Sequence, residues 1–325
     1  MQREPTTGMG YRFKAKETIA DGVRRIANEQ LTKALDELDD RRLGPHETIH
    51  QARKRCKKVR ALLRLARPAL AGDTYAFENA WYRDTGREIA TIRDAQTRIE
   101  TVDALRREYG RLVSEEVFGR VRSALVARRE ALLADRVSLQ CSLDEVCERL
   151  EEGLQRVDDW KLEDDGFEAL RGGLVQRYQR GRSALRTAYD EPSAEHLHEW
   201  RKRVKDHRYH VRLLAPVWPG PMQARQHELH ALSDLLGEDH DLFVLESFAS
   251  QEPKAAGGED VVRVVLALAL GRRMELRTAA RSLGARLFAE KPKRVADRIG
   301  AWFETWKAEA PERAKVVHEP RLVRA

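Results

Sequence analysis

A stretch of 24 residues occurs twice in this chain of 325 residues, 148 positions apart and without a gap. Ten of the 24 positions are identical between residues 47–70 and residues 195–218. The identical pairs are Glu47/Glu195, His50/His198, Arg53/Arg201, Lys54/Lys202, Arg55/Arg203, Lys57/Lys205, Arg60/Arg208, Arg64/Arg212, Leu65/Leu213 and Pro68/Pro216. An internal repeat of this kind predicts two structurally similar halves related by a pseudo-twofold axis.

Both copies of the repeat have the apolar spacing of a helix. In each copy, apolar side chains recur at alternating steps of three and four residues, which predicts one packed face, named here the apolar seam. Its members are Ile49, Ala52, Cys56, Val59, Leu63 and Ala66, then Leu197, Trp200, Val204, His207, Val211 and Leu214. Similar periodicity continues along nearly the whole chain, and Leu, Ala, Glu and Arg dominate its composition. We therefore predict an all-α fold of two four-helix-bundle-like halves with an extra connector helix.

Sequence boundaries divide the chain into two halves and a connector. We predict a single domain over residues 11–310, with a first half at about 11–137, a connector at 138–165 and a second half at about 166–308. The periodicity predicts one continuous helix over 75–107, and Ser142 with Glu145 forms a capping-box pattern that predicts the start of the connector helix. Residues 311–325, which begin with a proline, are predicted to be a loose tail.

A stripe of basic residues lies one position along from the apolar seam in each copy, with one further lysine beside it. We call these twelve residues the basic ladder: His50, Arg53, Lys54, Lys57, Arg60 and Arg64, and His198, Arg201, Lys202, Lys205, Arg208 and Arg212. A helix of ~20 residues is ~30 Å long, so the ladder is extended and suits a linear polyanion better than one small phosphate.

The ladder has few acidic neighbours to balance it. No Asp or Glu occurs from Thr48 to Gly72, and the second copy has only Glu199 and Asp206 within its basic run. A solvated helix face usually mixes charges of both signs, because opposite charges four residues apart stabilise the helix. The formal net charge of +7 also favours a polyanionic partner. The pattern therefore predicts an anion site, for which arginine supplies a planar fork of donors and histidine an added donor when protonated.

At these residues the sequence resembles the CHAD domain, the conserved histidine α-helical domain. The family pattern is matched by HQARKRCKKVR from His50 and by HEWRKRVKDHR from His198. A second family element resembles the residues around Asp94 and Asp241, where Arg93 keeps the expected arginine and His240 replaces it. The resemblance covers roughly residues 11–307. It implies paired four-helix bundles whose basic helices line a groove, binding of inorganic polyphosphate by the ladder residues, and localisation of some members to polyphosphate granules.

The resemblance further implies a protein without catalytic residues of its own. Many family members are fused to a CYTH triphosphate-tunnel domain, but no β-rich segment or ExExK pattern precedes these helices, so we expect a stand-alone CHAD protein that is not an enzyme and needs no cofactor or metal. The N-terminus has no apolar signal core and the apolar stretch at 264–270 is too short to span a bilayer, so we expect a cytoplasmic location without a membrane partner. Three cysteines, with no CxxC pair, are expected to be reduced thiols.

The sequence also allows three other kinds of site: a metal site, a phosphohydrolase site and a nucleic-acid-binding surface. His207 with His210, and His227 with His230, have the spacing of metal ligands on one helix face, although His207 occupies a seam position and is predicted to be a packed histidine. Asp94 and Asp241 can serve a phosphohydrolase, or can each hold a ladder arginine in place. A basic surface also binds nucleic acid, but most of the tryptophans that would stack on bases fall at apolar positions, so nucleic acid is expected only as a non-specific competitor.

Overall fold

In this computed structural model, residues 10–40 and 42–316 are described, and they form eleven α-helices without a β-strand among them. The prediction of an all-α fold is therefore confirmed. The helices are α1 (Ile19–Asp39), α2 (Pro45–Ala66), α3 (Thr74–Glu88), α4 (Ala90–Tyr109), α5 (Glu115–Ala134), α6 (Arg136–Arg156), α7 (Glu168–Asp190), α8 (Ala194–Leu213), α9 (Pro219–Gln251), α10 (Glu259–Leu287) and α11 (Pro292–Val316). No helix in this described part is long and apolar enough to cross a membrane.

The two basic helices, α2 and α8, begin at signals that the sequence carries. Helix α2 starts with Pro45 directly after Gly44, because the fixed backbone angle of proline suits a first helical turn. At the start of α8, the Ser193 hydroxyl accepts a hydrogen bond from the backbone N–H of His196 at 3.0 Å, which satisfies one of the free N–H groups of the first turn.

The predicted helix over 75–107 is broken into α3 and α4 at Ile89, which corrects the sequence interpretation. The break lies beside a ladder residue. Arg53 Nη1 donates a hydrogen bond of 2.6 Å to the carbonyl oxygen of Gly86, in the last turn of α3. A helix leaves its last carbonyls without partners inside the helix, and here an arginine from α2 satisfies one of them. Periodicity cannot reveal such a break, because the donor is distant in sequence.

Two further boundaries differ from the sequence interpretation. Helix α6 begins at Arg136 rather than at Ser142, because the side chain of Asp135 accepts from the backbone N–H of Ser138 at 3.0 Å and caps the helix earlier. Helix α11 continues past Pro311 to Val316, within the segment expected to be loose. Residues 317–325 of that predicted tail lie outside the described residues.

Corresponding helix pairs pack together in both halves of the chain. In the first half, α2 packs between α1 and α3, while α6 contacts α1 and α3 and α4 pairs with α5. In the second half, α8 packs between α7 and α9, and α9 pairs along its length with α10. All twelve members of the apolar seam are buried, as predicted, including the imidazole of His207.

The halves share their main hydrophobic core. Buried residues of α1, α2 and α6 join those of α7, α8 and the first part of α9 in one cluster. A second cluster is formed by α4 and α5 with the last part of α9 and the first part of α10. Helices α2 and α7 meet closely at Gly173, where a Cβ atom would lie only 1.9 Å from the carbonyl oxygen of Leu65. Only glycine permits this approach, which keeps α2 against the second half.

Candidate functional site

The two ladder helices contact each other across the boundary between the halves. The imidazole Nε2 of His210 on α8 donates to the carbonyl oxygen of Ala61 on α2 at 3.0 Å, and Arg64 Nη1 donates to Asp206 Oδ1 at 2.9 Å. The apolar seams bury one side of each helix, so both copies of the ladder flank this contact. The tertiary structure thus brings together two basic stripes that lie 148 residues apart in sequence.

Four ladder residues, two from each helix, form a central cluster: Arg53, Lys57, Arg201 and Lys205. Burial, followed by repulsion from Arg53 and Arg201, lowers the pKa of Lys57 to about 8. Burial, followed by repulsion from Arg201 and Lys57, lowers the pKa of Lys205 to about 7. Lys57 is nevertheless an exposed residue. Protein atoms crowd its ammonium group and lower its pKa, while part of the side chain stays accessible to solvent. Like charges are therefore concentrated where the two helices meet, at a cost in electrostatic free energy.

One aspartate from each half lies near the central cluster. The positive charges of Arg53 and Lys57 interact with Asp94, and those of Arg201 and Lys205 with Asp241. The arginines beside Asp94 donate hydrogen bonds to other groups. Arg53 donates to the carbonyl oxygen of Gly86, and Arg93 donates to Glu100 at 2.9 Å. Burial raises the pKa of Asp241 despite the nearby cations. The two carboxylates provide partial compensation for four cations.

The remaining ladder residues have contacts with nearby protein groups. Arg60 Nε donates to Asn79 Oδ1 at 3.3 Å, and burial, followed by repulsion from Arg64, lowers its pKa to about 10. Arg212 lies over the Tyr11 ring at 5.9 Å, Arg208 Nη1 is 3.4 Å from His230 Nδ1, Lys54 Nζ donates to Gln51, and Lys202 Nζ donates to Glu199. Of these, Lys202 is the most exposed. The ladder therefore consists of a crowded centre and flanking residues with individual partners.

Sequence reasoning identified Asp206 only as an acid within the basic run, but the structure makes it a link between the halves. This buried carboxylate accepts hydrogen bonds from Arg64 on α2 and from Arg203 Nη1, at 3.2 Å, on its own helix. A buried carboxylate between two arginines is expensive to remove, because at least one buried guanidinium then loses its counter-ion. The burial of Asp206 and its 2.9 Å hydrogen bond from Arg64 therefore predict a structural role for this pair.

Replacing Asp206 with asparagine is expected to lower the free energy of unfolding by about 3 kcal/mol at pH 7, since the Arg64 guanidinium, whose side chain is 15% exposed, loses its carboxylate partner. Chemical denaturation measures the difference. Asp234→Asn is the matched control, because Asp234 is exposed and pairs with His230, which is also exposed, and its effect should stay within about 0.5 kcal/mol. Equal effects of the two substitutions would contradict the structural role of Asp206.

Lys58 occupies the position equivalent to Asp206 under the 148-residue offset, and sequence reasoning did not single it out. Its side chain is 4% exposed, and Nζ donates to Gln30 Oε1 at 3.1 Å. Burial, followed by repulsion from Arg55 and Arg212, lowers the pKa of Lys58 to about 7. Under the same offset, Arg64 corresponds to Arg212. The attractive pair Arg64–Asp206 therefore has a repulsive counterpart in Arg212 and Lys58.

Replacing Lys58 with methionine is expected to stabilise the protein at pH 7 by about 2 kcal/mol. Each unit of pKa depression costs about 1.4 kcal/mol in the charged form, or at most about 5 kcal/mol here, and the loss of the Nζ contacts with Gln30 and the Tyr11 ring offsets part of this gain. Gln30 Oε1 still accepts from Arg55 at 3.1 Å. The penalty is fully present below the folded-state pKa of about 7 and vanishes above the unfolded-state pKa of about 10.4. Denaturation at rising pH should therefore show the advantage of Lys58→Met shrinking, whereas the exposed Lys293→Met gives little change at any pH.

The histidine pairs that suggested a metal site are used in other ways. His207 is fully buried, as the seam predicted, and its Nε2 accepts from Arg225 Nε at 3.3 Å, while His210 binds the Ala61 carbonyl. His230 pairs with Asp234 at 2.8 Å. Within the described residues, no group of three or more His, Cys, Asp or Glu side chains has the arrangement of a metal site. Cys56, Cys141 and Cys147 are free thiols, as expected.

Several basic residues on other helices pair with carboxylates instead of adding to the ladder. Arg272 pairs with Glu238 and Arg273 with Asp239, and arginines of α1 and α5 also have acidic partners, as in Arg24–Asp21, Arg25–Glu17, Arg128–Glu252 and Arg129–Glu130. Arg24 and Arg25 line a separate open cavity of about 580 Å³ on the outer side of α1. Lys14 and Lys16 precede α1.

An arginine of α7 near the ladder was not found by sequence reasoning. Arg177 is 2% exposed and donates to the Tyr75 hydroxyl at 3.1 Å, and its buried Nε atom has no hydrogen-bond partner among the residues that the structure describes. Burial lowers its pKa, and Arg64 lowers it further. It falls on a different helix and outside the repeat, so no spacing rule connects it to the ladder.

Comparison with known proteins identifies the family. The family description CHAD domain matches residues 25–250, more than half of the chain. The chain belongs to the CHAD domain family. This family is associated with polyphosphate binding and metabolism.

Two solved structures share the fold of this CHAD protein. PptA from Streptomyces chartreusis matches with a TM-score of 0.59 and 17% identity, over 83% of this chain and 99% of that one. The CHAD domain of the plant Ricinus communis matches with a TM-score of 0.54 and 17% identity, over 87% of this chain and 97% of that one.

Relatives in sequence are longer. Uncharacterized proteins from two strains of Mycobacterium tuberculosis are each 31% identical to this CHAD protein over 256 residues, which is 74% of this chain and 48% of the relative. The chain therefore spans about half the length of the curated relatives it matches.

Proposed function

We propose that this CHAD protein binds inorganic polyphosphate non-catalytically, in a groove along the facing ladders of α2 and α8. The observation that carries the proposal is the contact between α2 and α8, which brings Arg53, Lys57, Arg201 and Lys205 into electrostatic interaction, with Asp94 and Asp241 beside them. A bound polyanion would relieve this repulsion and restore the charged forms of both lysines.

The shape and chemistry of the ladder favour a linear phosphate polymer. Its two stripes follow helices of 22 and 20 residues, so several phosphates of one chain can contact successive side chains. Guanidinium groups bind phosphate oxygens with two parallel hydrogen bonds, and lysines add point charge. The proposed contacts are the twelve ladder residues, His50, Arg53, Lys54, Lys57, Arg60, Arg64, His198, Arg201, Lys202, Lys205, Arg208 and Arg212, with the outer, individually paired residues contributing less than the central cluster.

The absence of base-stacking groups in the central cluster argues for phosphate over nucleic acid. Among the tryptophans, Trp160, Trp200 and Trp306 are buried, and Trp81 and Trp302 pack against the main core. Trp218 is 50% exposed, and its ring packs edge-on against that of Trp302. A surface of arginine and lysine recognises phosphate charge, and polyphosphate carries more charge per length than RNA. We further propose that the protein acts in the cytoplasm, associated with polyphosphate granules where these form.

Calorimetric titration of the full chain tests the proposal. Long-chain polyphosphate is compared with single-stranded RNA of equal total charge at the same salt concentration, and free phosphate is assayed after prolonged incubation. Much tighter binding of polyphosphate without release of phosphate is expected. Equal affinities would make the protein a general polyanion binder, and phosphate release that depends on Asp94 or Asp241 would make it a phosphohydrolase; either result overturns the proposal.

A further inference from the structure

The two halves of the ladder differ in the residue that precedes the nearby aspartate. Each copy of the ladder starts with a histidine, His50 in α2 and His198 in α8. The residue that precedes the nearby aspartate is Arg93 in the first half but His240 in the second. A permanent positive charge in one half is thus replaced by a titratable group in the other.

The second-half histidines are in direct contact. The Nδ1 atoms of His198 and His240 are 3.1 Å apart, and the two ring centroids are separated by 4.1 Å with an interplanar angle of 34°. Both side chains are only partly buried, so each keeps access to solvent. Two neutral imidazoles make such a contact with one N–H donor and one acceptor nitrogen.

One added proton changes what this pair can bind. In the neutral pair, the ring that donates through Nδ1 has an acceptor at Nε2, and only the other ring has an Nε2–H group. When that first ring is protonated at Nε2, the Nδ1–H···Nδ1 bond remains and both Nε2 atoms carry hydrogen. The pair then has one positive charge and two N–H donors for anionic oxygens.

We propose that His240 is a further ligand residue of this protein and that the His198–His240 pair forms a phosphate subsite which takes up one proton when it binds the polyanion. The inference rests on the proposed function, and it adds a residue outside the repeat together with a dependence of affinity on pH. When it is protonated, the His198–His240 pair supplies beside Asp241 the positive charge that Arg93 supplies beside Asp94.

Groups around the pair determine the direction of the effect. Burial, followed by repulsion from Lys202 and Arg201, lowers the pKa of His198 to about 4, and burial, followed by repulsion from His198 and Arg201, lowers that of His240 to about 3. The free pair is therefore neutral at pH 6 to 7, and a bound anion raises both pKa values. The charged neighbours are Glu199, Arg201, Lys202 and Lys205 on α8, Asp241 on α9, Arg93 with Glu100 on α4, Lys57 on α2, and Arg272 and Arg273 of α10, which pair with Glu238 and Asp239.

Linkage fixes the sign of the pH dependence. A ligand that binds the protonated pair more tightly must bind with higher affinity as pH falls, by up to tenfold per pH unit for each proton taken up. The range from pH 6.5 to pH 5.5 isolates the histidines, because Lys57 and Lys205 are largely charged in the free protein below their pKa values of about 8 and about 7. His50 is unchanged in every variant, and His240→Asn adds no charge beside Asp241, so this variant is the one that alters the contribution of that carboxylate least.

The test is calorimetric titration of the full chain with long-chain polyphosphate at pH 5.5 and 6.5, in two buffers of unlike ionisation enthalpy that report the protons taken up. His240→Arg fixes the charge, His240→Asn removes it while keeping a polar side chain, and His227→Asn is the control, because His227 is an exposed histidine of the same helix. Wild type and His227→Asn should gain affinity at pH 5.5 by about tenfold more than either His240 variant, and should take up about one proton more.

The outcomes separate this inference from the function on which it rests. Equal pH dependence and equal proton uptake in wild type and both His240 variants, with polyphosphate still bound, would overturn the subsite and leave the proposed function in place. No binding of polyphosphate by wild type at either pH would overturn both.

Discussion

Replacing Arg53 and Arg201 together with glutamate should lower the affinity for long-chain polyphosphate by about a thousandfold or more, while the helical content measured by circular dichroism stays unchanged. Each substitution removes a charged hydrogen bond worth about 1.5–3 kcal/mol, so two losses alone amount to about 3–6 kcal/mol. Charge reversal adds repulsion between the new carboxylates and the phosphates. Both positions belong to the central cluster, one on each ladder helix, so the variant affects both halves of the surface.

Two matched variants make this experiment specific. Arg42→Glu with Arg263→Glu makes the same change in net charge on exposed arginines of side-chain exposure 89% and 73%, and should retain most of the affinity. Arg53→Gln with Arg201→Gln removes the charges without reversing them, and should have an intermediate effect. If the ladder double variant binds as tightly as the surface double variant, the assignment of the central cluster is wrong.

Affinity for polyphosphate should also fall steeply with salt. Binding of a linear polyanion releases its condensed counter-ions, with a slope in log affinity against log salt of roughly 0.7 per phosphate contact by analogy with single strands, so about eight contacts would give a slope near −6. Raising the salt from about 50 mM to about 200 mM would then reduce affinity by roughly a thousandfold. Titrations across that range measure the slope.

The same titrations on Arg53→Gln with Arg201→Gln provide the internal check. Losing two phosphate contacts should make the slope shallower by about 1.4, whereas the variant Arg42→Gln with Arg263→Gln should leave it unchanged. A flat salt response of the wild-type protein would exclude a ladder of phosphate contacts, whatever its affinity.

Much of the fold followed from local pattern. The seam over residues 49–66 and 197–214 predicted buried faces that the structure has, because an amphipathic helix must bury its apolar side against something. Helix boundaries were less predictable where the deciding group lies outside the pattern. Asp135 caps α6 earlier than Ser142 would, and Arg53 takes the Gly86 carbonyl where α3 ends.

The site divides in the same way. Repetition and helical position together identified the ladder, since six of the ten identical pairs lie on or beside the basic stripe next to the apolar seam. Arg177, Lys58 and the contact between His198 and His240 depend on which helices meet, and no spacing in the sequence encodes a neighbour on another helix.

By itself, the sequence determined that this protein is helical, and which face of each repeated helix is apolar and which is basic, because these properties depend on residues three and four positions apart. Only the tertiary structure decided that the two basic faces meet, that Asp206 joins the halves while Lys58 opposes Arg212, and that His240 lies against His198. Those relations depend on contacts between residues tens to more than a hundred positions apart, which are fixed when the shared core forms.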